Sequence, residues 1–75
     1  METIKLGYVH MPRGGDTMDC PYAYITERVW FAPWRWNVIA CYYPSPRDTI
    51  IAYNVSAAEA KGLLKILGVY PHRQL

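Results

Sequence analysis

Ser56-Ala57-Ala58-Glu59-Ala60-Lys61-Gly62-Leu63-Leu64-Lys65-Ile66-Leu67-Gly68 is the only stretch of the chain with helical periodicity, and its reading decides the fold. Ser56 and Glu59 have the spacing of a capping box. In that motif the serine hydroxyl accepts from the amide of Glu59, and the carboxylate reaches back to the amide of Ser56. Ala60, Leu63, Leu64 and Leu67 follow at i, i+3, i+4 and i+7, which makes one apolar stripe. Lys61 and Lys65 lie outside it, with Lys65 near the negative end of the helix dipole. Gly68 is a natural left-handed terminator, Val69 can close back on Leu64, and Pro71 forbids continuation. Gly62 costs up to about 1 kcal/mol relative to alanine, which a close approach of the backbone to a sheet or a partner would justify.

Upstream of the helix the pattern is that of strands. Residues 3–11 alternate, with Ile4, Leu6 and Tyr8 on one face and Thr3, Lys5 and Gly7 on the other. Residues 12–21 hold two prolines, Gly14-Gly15, Asp16 and Asp19, a loop longer than the usual ~4–6 residues. A second strand covers residues 22–31: Tyr22, Tyr24, Thr26, Arg28 and Trp30 share one face, while Ala23, Ile25, Val29 and Phe31 form a more aliphatic face broken by Glu27. Ala32-Pro33 reads as a turn into a third strand over 34–43, apolar on both faces and therefore inside the sheet. Pro44-Ser45-Pro46-Arg47-Asp48 is a stiff turn, and residues 49–55 make a fourth strand. The order ββββα predicts one α+β domain over residues 1–75, a small antiparallel sheet of three to four strands with a C-terminal helix on one face. One helix covers one face. The other must meet solvent or a partner unless the long loop folds over it.

Composition narrows the function classes. Apolar residues make up 52% of the 75 and charged residues 19%, which is a folding and not a disordered composition. The net charge of +2 comes from scattered lysines and arginines, with no polybasic run of the kind nucleic-acid binders carry. No apolar stretch approaches the roughly 20 residues of a membrane-spanning helix, and the N-terminus lacks the pattern of a signal peptide. A cytoplasmic location with reduced thiols is the expectation. The initial methionine and the absence of a tag suggest a complete small gene product.

No motif names a reaction. His10, His72, Cys20 and Cys41 lack the close pairs that announce a zinc site, so no metal and no cofactor are expected. Cys20 with His10 would be a thiol and its base, but Asp19 beside Cys20 raises a thiol pKa instead of lowering it. Cys41 reads as a small core residue. Asp16 and Asp19 give a D-x-x-D spacing without further oxygen ligands, and Arg13-Gly14-Gly15-Asp16 lacks the spacing of a phosphate loop. A non-enzymatic protein is expected.

The segment with functional weight is Trp30-Phe31-Ala32-Pro33-Trp34-Arg35-Trp36, which holds all three tryptophans and the only phenylalanine. A chain this short buries only about 60% of its unfolded surface, so its interior cannot take every ring. The rings either form the core under the helix, with Arg35 snorkelling at its edge, or present an outward platform. Exposed Trp, Tyr and Arg are the composition of interface hot spots. Arg28, Trp30, Trp34, Arg35 and Trp36 are therefore the candidate partner-binding residues, with Arg13 and Asp16 from the long loop. The expected partner is a larger protein or nucleoprotein complex whose surface the chain occupies. By size and style alone that resembles the small inhibitors of host machinery that phages and mobile elements encode, anti-CRISPR proteins among them. Two alternatives are an RNA- or single-stranded-DNA-binding module that stacks bases on the rings, and a structural homodimer formed through the bare sheet face or a strand edge.

Overall fold

Among the described residues, five strands and one helix follow one another as β1 (Tyr8–Pro12), β2 (Ala23–Val29), β3 (Ala32–Cys41), β4 (Thr49–Ser56), α1 (Ala57–Leu67) and β5 (Val69–Gln74). The computed structural model describes residues 4–12, 21–42 and 48–75. The strands form a single sheet in the order β4-β3-β2-β1-β5, and every pairing is antiparallel. The chain thus has the small α+β fold that its pattern implies. Because α1 joins β4 at one edge to β5 at the other, it must cross one face of the sheet. It packs there on β3 and β4.

The core lies beneath that crossing. Ala60 and Leu64 from the helix meet Trp36 and Val38 of β3 and Val69 at the start of β5. Burying a leucine side chain fully is worth about 1.5–3 kcal/mol, so Leu64 is a principal anchor of the helix. Register assigns the faces. Tyr24 pairs with Ala40, Thr26 with Val38 and Arg28 with Trp36, so these pairs face the helix. The intervening pairs Ala23–Cys41, Ile25–Ile39 and Glu27–Asn37 face away from it.

The helix ends match their sequence signals closely. Ser56 is extended at φ −69°, ψ 161°, and its Oγ accepts from the Glu59 amide at 3.2 Å. The reciprocal bond differs from a capping box, for the Glu59 carboxylate accepts from the Ser56 hydroxyl at 3.3 Å instead of from its amide. Ser56 is still a strand residue opposite Arg35, which ties its backbone to the sheet. Gly68, at φ 70°, closes the helix by donating to the carbonyls of Leu64 and Lys65. Gly62 serves no close approach among the described residues: a methyl group there would meet none of their atoms within 4 Å.

Two features depart from the pattern read in the sequence. The first strand begins at Tyr8 and not at residue 3, because Gly7 turns the chain at φ 81°. Residues 4–6 leave the ladder and cover the core with Ile4 and Leu6. The buried Thr26 clips this turn: its Oγ1 accepts from the Gly7 amide at 2.8 Å. The second departure is β5, where a four-stranded sheet was the upper expectation. Its sequence, Val-Tyr-Pro-His-Arg-Gln, has no strand alternation and contains Pro71. Proline is tolerated on an edge strand, and pairing with β1 together with a bond from the Leu75 amide to the Gly7 carbonyl at 3.0 Å holds it there.

Candidate functional site

The β2–β3 hairpin carries the two most exposed tryptophans, and the most exposed rings, among the described residues. Val29 pairs with Ala32, so the turn consists of Trp30 and Phe31 themselves, not of Ala32-Pro33 as the sequence suggested. The next pair inward is Arg28 with Trp36, which leaves Pro33, Trp34 and Arg35 of β3 without a partner on β2. Proline has no amide to give to the ladder, and the strand bulges where it falls. Turn and bulge together lift the aromatics outward. Trp30 is 90% exposed, Trp34 70% and Phe31 51%. Trp30 and Phe31 pack edge to face, with ring centroids 5.5 Å apart at 86°.

The third tryptophan has the opposite fate. Trp36 is only 7% exposed and belongs to the core. The backbone at Gly7 passes its ring, a Cβ there lying 3.8 Å from the indole. The Arg28 guanidinium stacks on it at 4.8 Å from the ring centroid, and Arg28 Nη1 donates to the Pro33 carbonyl at 2.7 Å. Arg28 therefore fastens the bulge to the core. Arg35 is committed elsewhere, with Nη2 donating to the Asn54 carbonyl at 2.7 Å and Nε to Asn54 Oδ1 at 3.2 Å. Asn54 sits in the left-handed region at φ 56°, and its amide donates to Asn37 Oδ1 at 2.8 Å.

Of the residues singled out in the sequence, the structure brings Arg28, Trp30, Trp34, Arg35 and Trp36 to one end of the sheet. Only Trp30 and Trp34 among them face outward as bare rings. Trp36 is core, and the two arginines hold the hairpin in shape. Arg13 and Asp16 lie outside the described residues, as do Cys20 and the loop around it. Sequence reasoning passed over an open concavity of about 400 Å³ beside the tip, lined by Glu27, Arg28, Trp30, Phe31, Asn37 and Tyr53. One signal of it was legible: Glu27 interrupts an otherwise aliphatic strand face.

The remaining chemical groups are dispersed. His10 is 1% exposed, and Nε2, in the tautomer that carries its proton, donates to the Lys5 carbonyl at 2.7 Å. Burial lowers its pKa, against the opposing pull of backbone hydrogen bonds with Lys5, Tyr24 and Tyr8. Cys41 is buried and pairs with no cysteine among the described residues; burial, and then the charge of Asp48, pushes its thiol pKa up. That is the reverse of what a nucleophilic thiol needs. Among the described residues no three His, Cys, Asp or Glu side chains gather as a metal site, and no helix is long and apolar enough to cross a membrane. Comparison with known proteins finds no matching family model, no similar curated protein and no similar solved structure.

Proposed function

We propose that this is a non-enzymatic binding protein whose hairpin tip, Trp30, Phe31 and Trp34, seats on the surface of a larger protein or protein-containing assembly. The observation that carries this reading is the exposure of two tryptophans, 90% and 70%, on a tip held by the Arg28 stack and clamp. Rigid exposed indoles are hot-spot residues, since contact with a partner buries large apolar area at little cost in side-chain entropy. Such a protein is comparable in size to phage-borne inhibitors of host machinery, anti-CRISPR proteins included.

Two observations favour a protein partner through the tip over nucleic-acid stacking and over self-pairing at a strand edge. A nucleic-acid platform would use Arg28 and Arg35 to attract phosphate, but both guanidinium groups are engaged within the chain. Self-pairing through a sheet edge would need a regular outer strand. Both outer strands are instead interrupted: β4 carries extra residues between Val55 and Ile50, and β5 has an extra residue between Arg73 and Pro71. Bulges and edge prolines are the devices that blunt strand edges.

The test is affinity capture from the protein's native cells with the wild-type chain and with Trp30→Ala and Trp34→Ala. Each variant should lose captured partner by about 2 kcal/mol of binding or more, roughly 30-fold, with an unchanged circular-dichroism spectrum. Equal capture by wild type and both variants rejects the tip as the binding surface.

A further inference from the structure

We propose that the concavity beside the hairpin tip receives one arginine side chain of the partner protein. This rests on the binding-protein reading above and names the chemistry of the contact. The walls are aromatic, with Trp30, Phe31 and Tyr53 each at least half exposed. The lining also includes Glu27 and Asn37, a directly paired couple on the sheet face away from the helix. Glu27 is exposed and makes no ion pair among the described residues. Asn37 Oδ1 already accepts from the Asn54 amide, so Glu27 is the charged acceptor the site offers.

A carboxylate with no ion pair among the described residues, lining one concavity with three rings, is complementary to a cation. Ring faces attract positive charge through their quadrupole, and the carboxylate supplies the counter-charge and two acceptor oxygens. Arginine fits better than lysine, because a planar guanidinium can stack on a ring while giving a forked pair of hydrogen bonds to the carboxylate. The molecule's own arginine at this rim does not compete. Arg28 neighbours Glu27 in sequence but points to the other face, where Trp36 and the Pro33 carbonyl occupy it. The Arg28 stack on Trp36 shows the same chemistry satisfied internally. The concavity presents a carboxylate that no cation meets among the described residues.

Two-dimensional NMR of the full chain, titrated with N-acetyl-arginine amide and its neutral near-isostere N-acetyl-citrulline amide, tests the assignment. The arginine compound should shift the Trp30 indole and Asn37 side-chain amide signals saturably, and the citrulline compound should bind about fivefold more weakly or worse. Glu27→Gln, an exposed change that keeps the fold, should bring arginine down to the citrulline level. The lysine analogue should bind less tightly than arginine. Equal affinity for arginine and citrulline, no saturable shift, undiminished binding by Glu27→Gln, or lysine equal to arginine overturns the proposal. Its failure is separable from that of the tip reading. If Trp34→Ala loses the partner while Glu27→Gln alters nothing, the tip stands and the arginine site falls. If Glu27→Gln loses arginine while Trp34→Ala still captures the partner, the arginine site stands and the tip falls.

Discussion

Trp34 and Trp36 lie two positions apart on β3, and local geometry gives them different work. In a regular strand such residues share a face, but the bulge at Pro33–Arg35 turns Trp34 to solvent and leaves Trp36 under Leu64 and Gly7. Trp36→Ala should therefore cost about 3–5 kcal/mol of stability, as large core truncations do. Trp34→Ala should stay within about 0.5 kcal/mol of wild type. Urea denaturation of the two variants checks the contrast, and similar midpoints would contradict it. His10 makes a second residue-scale prediction. Burial lowers its pKa below the ordinary 6.5, so the folded state keeps it neutral where the unfolded chain takes up a proton. The stability this contributes is complete above 6.5 and is lost as pH falls towards the lowered folded value. Between about pH 7.5 and 5.5 the melting temperature should fall more for wild type than for His10→Gln, whose amide can still donate to the Lys5 carbonyl. Parallel curves would remove His10 from the acid response.

At the scale of elements the helix offers two opposed substitutions, at its cap and in its interior. Ser56→Ala removes the acceptor for the Glu59 amide and should destabilise by about 0.5–2 kcal/mol. Gly62→Ala adds a methyl group to open space in a helix interior and should stabilise by about 0.5–1 kcal/mol. Thermal melts of both variants read the signs, and a destabilising Gly62→Ala would contradict the open space that the described residues leave at Gly62. The helix was legible because its signals are local: a cap, a stripe and a terminator within thirteen residues. The sheet interior was legible for the same reason, through alternation and β-branched residues. What stayed hidden depends on distant partners. Val69–Gln74 has no strand pattern of its own and becomes β5 only by pairing with β1, some sixty residues earlier. The turn was misplaced by two residues because Pro33 reads as a turn former, while its actual effect is to force a bulge beyond a Trp-Phe turn. The candidate site was half legible. Composition alone showed that some rings must be outside, but which ones follows from register.

For the whole molecule, one helix shields one sheet face, and both outer strands are broken by extra residues. The aromatic tip carries Trp30 and Trp34, the two most exposed rings among the described residues, supported from behind by Arg28 on Trp36 and from the side by Arg35 on Asn54. A tip so braced would change shape little on binding a partner, which would keep the entropic cost of association low. Loosening it should weaken binding without touching the partner: Arg28→Met, which keeps length and loses the clamp on the Pro33 carbonyl, should reduce capture while the fold persists. The central claim is that Trp30 and Trp34 are bare in the free protein and covered in its assembly. Fluorine NMR of the chain labelled with 5-fluorotryptophan reads each indole separately and is blind to the partner's own residues. In the free protein the Trp30 and Trp34 resonances should show a solvent isotope shift between H2O and D2O, and the Trp36 resonance should not. In the captured complex at least one of the two exposed resonances should lose that shift; if both retain it, the tip is not the binding surface.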